Sequence, residues 1–133
     1  MKVFRLYTGD DGQSHFVELK VPMHPGFHGM DSDFTPALGF VFREAPPGAS
    51  LGYHNAPRRL LALQLSGQAE IECGDGSSFR LGPGDVLLAE DTTGQGHIVR
   101  EIEGPRHAIN LDLPPDLDLS GWSGPSLSPP LPG

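Results

Sequence analysis

Six histidines are the side chains of this sequence best suited to chemistry at neutral pH: His15, His24, His28, His54, His97 and His107. Imidazole titrates near neutrality and carries a lone pair, so it serves equally as an acid/base group or a metal ligand. His54 stands in "LGYHNAPRRLLALQLSG", at the head of a strand-like run and followed closely by a proline and two arginines. Metal sites and acid/base sites begin this way, and so do ordinary strand ends. His97 opens "HIVREI", which carries Glu101, and the loop before it carries Glu90 and Asp91. A carboxylate beside a histidine fixes its tautomer and stabilises the imidazolium, which makes a general acid/base pair. An arginine at the rim of such a site can hold a carboxylate or enolate through two hydrogen bonds. The kit suits proton transfer next to a carbonyl and has no evident nucleophile. Cys73, the only cysteine, reads as a small buried hydrophobe in "AEIECGDG", and no serine sits in a matching elbow.

Positioning falls to strands. The 18 glycines and 14 prolines lie mostly between short apolar runs, which disfavours long helices and favours short strands joined by tight turns. "KVFRLY", "HFVELKV", "ALGFVFRE", "RLLALQLS", "AEIEC", "SFRL", "DVLLAE", "HIVREI" and "HAINLDL" read as strands. Turn-forming stretches, including "GDDG", "APPGAS" and "GPG", separate most of them, and "ECGDGSSF" reads as a hairpin closed by Asp-Gly. About nine or ten strands in one small all-β domain imply a barrel or sandwich, which hides its sheet edges. The barrel is expected over residues 1–113. Residues 114–133, "PPDLDLSGWSGPSLSPPLPG", read as a Pro/Gly-rich arm or tail with Trp122 as its one large anchor.

Charge and composition exclude several partners. Nine basic against 17 acidic side chains give a net charge of −8, and "PRR" is the densest basic cluster. Nucleic acid and anionic membrane surfaces are poor partners for such a chain. No run approaches the ~18 apolar residues of a membrane span, and the start "MKVFRLYTGDDG" does not read as a signal peptide. A single cysteine allows no intrachain disulfide and no thiolate zinc cluster. A reducing, cytoplasmic setting is the expectation. "GDGSS" and "GDDG" lack the alternating oxygen ligands of a calcium loop and read as turns.

Alternation along the strands decides what faces inward. His97, Val99 and Glu101 share one face; His15 shares one with Val17 and Leu19, and His107 with Ile109 and Leu111. The plain reading of His15 and His107 is a hydrogen-bonded core or rim histidine, and His24 and His28 read as solvated loop residues.

Three stretches together carry a resemblance: "GYHNAPRRLLALQLSG", the "GDGSSFRL" hairpin, and "GPGDVLLAEDTTGQGH". They resemble the two motifs of the cupin superfamily, and more specifically a group of small single-domain bacterial cupins. Pro83, Gly84 and Asp85 match the turn entering the second motif, His97 its histidine, Gly67 the end of the first motif and His54 its first histidine. The match spans residues 38–113. It implies a double-stranded β-helix, or jelly-roll barrel, commonly a homodimer that exchanges N-terminal strands. The apolar edge in "KVFRLY" and the face carrying Ile98 and Ile102 fit such an assembly, with Arg100 available to an acid across it. Of the four-residue metal set typical of the family, only His54 and His97 survive. Ala56 and Leu60 stand at the second histidine and the glutamate, and Glu101 at a frequent asparagine.

With these positions at the barrel mouth, His54, His97 and Glu101 are the expected catalytic residues. His15, Gln64 and Arg58 are the expected ligand-binding residues, or Arg59 instead of Arg58 if Pro57 shifts the register. The leading expectation is a small-molecule enzyme of isomerase, epimerase or lyase type, with no required metal and a ligand that could be anionic. The second is a metal-dependent dioxygenase or isomerase holding one divalent Fe, Ni, Mn or Zn on His54, His97 and Glu101 or Glu90. The third is a non-catalytic barrel that binds a small ligand.

Overall fold

The computed structural model describes residues 1–123 of the 133-residue chain. Among the described residues ten strands occur and no helix does: β1 (Val3–Thr8), β2 (Ser14–Leu19), β3 (His24–Gly26), β4 (Gly29–Asp31), β5 (Gly39–Ala45), β6 (Ser50–His54), β7 (Leu60–Cys73), β8 (Ser78–Leu81), β9 (Val86–Glu90) and β10 (His97–Asp112). No helix among the described residues is long and apolar enough to cross a membrane.

Two long strands, β7 and β10, organise the rest. The first half of β7 pairs with β9 and its second half with β8. The first half of β10 pairs with β6 and its second half with β5. One sheet therefore runs β2-β1-β9-β7-β10-β5, and the outer halves of β7 and β10 leave it to form a second layer with β8 and β6. The sequence reads each long strand as two, because "SGQ" and "EGPR" interrupt their alternation. Those interruptions are where the strands bend: the β7–β10 register shifts between Glu101 and Ala108. Gly67 sits opposite, at φ +81°, and a Cβ there would lie 2.7 Å from the Glu103 carbonyl oxygen. Only glycine fits both the dihedral and the space.

The bend folds the two layers face to face. Their inner faces share one core containing Phe4, Leu6, Leu60, Ala62 and Leu87 from the first layer and Ile71, Cys73, Phe79 and Leu81 from the second. Phe79 stacks on Phe4 at 4.7 Å and packs on Phe16 at 4.6 Å, closing one end of the space between the layers. The β7–β8 hairpin turns at Gly74–Ser77, with Gly76 at φ +89°.

The outer face of the large sheet is also apolar. Phe42, Ile109, Leu63, Val86, Val3 and Leu19 lie directly opposite one another from β5 across to β2. Over β1, β2 and β9 this face is covered by Leu113, Leu117, Leu119 and Trp122, so the first part of the C-terminal arm packs on its own sheet. Ser123 bridges to Lys20; residues 124–133 lie outside the described residues. Beneath this cover, Glu90 is buried between Arg5 at 2.7 Å and Arg59 at 2.6 Å. Arg5 stacks on Tyr7, and Arg59 donates to the carbonyls of Leu117 and Pro114. Removing one partner of such a buried set strands a charge, at roughly 3–5 kcal/mol. Arg100, on the second layer, pairs with Glu70 and Glu72 of its own chain.

Toward β5 the outer face stays open. Phe40 and Phe42 are exposed, and the β3–β4 hairpin with its flanks projects Phe27 and Phe34 fully into solvent.

Phe79 sits where the two layers meet, so Phe79→Ala should destabilise the fold by about 3–5 kcal/mol. Urea denaturation of the variant checks this, and a loss under about 1 kcal/mol would place the core elsewhere.

Candidate functional site

Phe4, Phe16 and Phe79 fill only one end of the space between the layers. The remainder is a cavity of about 970 Å³ whose edges include β5 and β6. Its wall is largely apolar, with Ala56, Leu60, Ala62, Ile71, Leu87 and Ala89. His54, His97, Glu101 and Arg106 also line it, with Arg58 and Asp112.

His54 and His97 are brought together by strand pairing, since they are register partners on β6 and β10. Their ring centroids are 4.4 Å apart. His54 Nδ1 lies 2.8 Å from the carbonyl oxygen of Gly52. A carbonyl only accepts, so Nδ1 carries the proton and Nε2 the lone pair. His97 Nδ1 lies 2.5 Å from Oδ2 of Asp91, and donation to that carboxylate fixes the same tautomer. Both rings thus keep Nε2 free of protein hydrogen bonds among the described residues.

Asp91 is completely buried, and its Oδ1 has no hydrogen-bond partner. The loop that carries it is held by Asn55, whose side-chain amide donates to the carbonyls of Asp91, Thr93 and Gly94 at 2.9–3.2 Å. Gly96 lets this loop pass against β6: at φ +80°, a Cβ would lie 2.0 Å from the His54 carbonyl oxygen.

The carboxylate against His97 is therefore Asp91, not Glu101. Glu101 does lie on the cavity side, as alternation requires. Four residues along a strand, however, separate it from His97 by roughly 13 Å. Glu101 instead takes Arg106 Nε at 2.9 Å on each carboxylate oxygen. Gln64 is buried beneath this pair, its amide donating to Ser66 and Gly67 and its oxygen 3.4 Å from Arg106 Nη1. It braces the bend and is not among the residues lining the cavity.

The two adjacent arginines separate cleanly. Arg58 lines the cavity and pairs with Asp112 at 2.7 Å, while Arg59 is buried on the opposite face with Glu90. His15 lies away from the cavity, between Asp11 and Asp75 at 3.0 and 2.9 Å, where it pins the β1–β2 turn to the β7–β8 turn. His107 bonds Ser66 Oγ, and His24 pairs with Asp33 in the projecting hairpin. Burial pushes the Cys73 thiol up to about 12, so it stays protonated and non-nucleophilic at neutral pH.

No group of three or more His, Cys, Asp or Glu side chains is placed to hold a metal ion among the described residues. Two imidazole nitrogens are available. Glu101 and Glu90 are tied to arginines, and Asp91 to a ring nitrogen. This donor set falls short of the three protein ligands usual for a catalytic metal. Arg106 and Asn55 are the site residues that sequence reasoning missed. Gly104-Pro105 inside a strand run signals a bulge that could have flagged Arg106; no sequence signal marks Asn55. Compared with known proteins, the chain matches no family model and no curated protein.

Burial lowers the His15 pKa, but hydrogen bonds and charge from Asp11 and Asp75 overcome it and leave the value raised. The stabilisation from the charged ring is full below the unfolded-state value, about 6.5, and is lost as pH rises through the folded-state value. His15→Gln should therefore lower the melting temperature at pH 6 and leave it nearly unchanged at pH 9. Equal losses at both values would show that ring charge does not matter there.

Proposed function

We propose that this chain is a cupin-type jelly-roll protein that catalyses proton transfer next to a carbonyl of a small molecule, with isomerase, epimerase or lyase chemistry and no required metal. The observation that carries the reading is the Asp91–His97 pair at the wall of a largely apolar cavity. Asp91 occupies Nδ1 of His97, so Nε2 is the nitrogen left to take a proton. As it does so, the buried carboxylate lies against the positive charge that forms. His54 presents a second ring beside it with Nε2 equally free. Arg106, held by Glu101 and Gln64, lines the same cavity further along β10 from the histidine pair. Glu101, tied to Arg106, is not the carboxylate partner of His97.

A second reading has one observation in its favour. Histidine ligands of metals typically donate their other nitrogen to a carboxylate or carbonyl, and both His54 and His97 do this. A divalent ion would then rest on two imidazoles and ligands from solvent or substrate.

The test is loss of α-proton signals, by NMR in deuterated buffer, across a panel of small ketones, aldehydes and keto acids. Exchange should fall about 100-fold or more in His97→Ala, fall less in Asp91→Asn, and survive chelation. Loss on chelation with recovery on adding metal would favour the metal reading. Binding without exchange of any compound would leave a non-catalytic barrel.

The same reading includes assembly as a homodimer. Each chain carries both an apolar hairpin and an open apolar face around Phe40 and Phe42, and the edge strand β5 follows the hairpin closely in sequence. A two-fold axis beside β5 lets each hairpin cover the other copy's face, burying both surfaces at once. Light scattering at micromolar concentration should give twice the chain mass for the native protein and the single mass for Phe42→Asp. A native monomer would refute the assembly.

A further inference from the structure

Two of the three arginines that line the cavity are paired on its wall. Arg106 is offset by Glu101, and Arg58 by Asp112. Arg43, on β5, remains. Its register partner is Ala108, and Ala108 shares a face of β10 with Arg106, Asn110 and Asp112, so Arg43 stands on the cavity side of the sheet. Glu44, next in sequence, stands on the opposite face, 3.8 Å from His107. Among the described residues, Arg43 forms no ion pair, although the chain carries 17 acidic side chains and a net charge of −8.

A second polar group adjoins it. Asn110 is the register partner of Val41 and Ala62, diagonal to Arg43, and its side chain makes no hydrogen bond to the protein among the described residues. Diagonal neighbours on one face of a sheet lie within reach of a long side chain. A guanidinium and an amide without protein partners, side by side on a cavity wall, make a donor set for a carboxylate.

We infer that Arg43 and Asn110 form the anion-binding subsite of this cavity, and that its ligand is a carboxylate with an apolar body. The inference rests on the proton-transfer reading for what happens at the other end of that ligand. Arg43 and Asn110 lie on the first layer, and His54 and His97 on the second. Facing layers stand roughly 10 Å apart, so the carboxylate and the reacting carbonyl are several bonds apart. Leu60, Ala62, Leu87 and Ala89 line the first layer's wall and accept the apolar stretch between them. Arg58 does not hold the anion, because Asp112 already occupies it.

The probes are 5-oxohexanoate and its uncharged counterpart 2-hexanone, titrated by NMR or calorimetry at low ionic strength. The keto acid should bind about tenfold tighter or better. Arg43→Gln should bring the two to parity, Arg43→Lys should restore part of the difference, and Asn110→Ala should reduce it. Arg80→Gln removes an exposed arginine outside the cavity and should change nothing. Equal binding of the two probes, no binding of either at millimolar concentration, or a preference that survives Arg43→Gln would each overturn the subsite. His97→Ala separates this from the proton-transfer reading, since it should keep the keto-acid preference while abolishing exchange. Exchange without the preference removes the subsite alone, and preference without exchange removes the proton-transfer reading alone.

Discussion

The bend shared by β7 and β10 is the constraint on which the rest of this structure depends. A 14-residue and a 16-residue strand lie side by side, and each serves both layers. Kinking them near Gly67 sets the first layer's inner face opposite the second's, which creates the core and the cavity in one step. The same kink turns Arg106 back toward Glu101 and over Gln64. The polar floor of the cavity is thus a by-product of the device that folds the sheet. A side chain at position 67 would meet the carbonyls of Glu103 and Pro105, so geometry at this point leaves little room for compensation.

Two separate buried charge systems follow from strand alternation in β9 and its exit. Ala89 faces the cavity, Glu90 faces away into the Arg5–Arg59 pair, and Asp91 leaves the strand to reach His97. Three successive residues thus serve the cavity wall, the outer core and the histidine site. Glu90 is held by two guanidinium groups while Asp91 keeps one oxygen unpaired. An anchored residue directly before the dyad carboxylate limits how far Asp91 can move. Asn55 limits it from the other side by tying the following loop to the end of β6. The geometry of the His54–His97 pair depends on both.

The all-β class, the segments that form strands and the inward side of most of them were legible because alternation and turn residues report them directly. Leu60, Ala62 and Gln64 share a face in the sequence and in the fold. The continuity of β7 and β10 was not legible, because glycine and proline read as strand ends when the chain merely bends there. β6, and the β3–β4 hairpin, carry too few apolar positions to show a period. At the site, alternation puts Glu101 on the correct face but carries no information about distance along the strand. The carboxylate that reaches His97 comes from a loop, where the chain can double back and period-two reasoning does not apply. His15 illustrates the opposite error: its parity points inward, yet it ends a strand beside two acidic turns that capture it.

What remains of the histidine pair is decided by the groups behind it, more than by the rings. Both rings are locked into one tautomer, but by unequal partners: a neutral carbonyl behind His54 and a buried carboxylate behind His97. A carbonyl orients a ring without offering it a counter-charge. A carboxylate does both, so two rings 4.4 Å apart are electrostatically distinct although they present the same nitrogen. The asymmetry matters because adjacent imidazoles cannot both be protonated without repulsion. Only the ring beside Asp91 has a counter-charge behind it. Leu60 and Ala56 keep the surrounding wall apolar, so neither offers the rings a further polar partner.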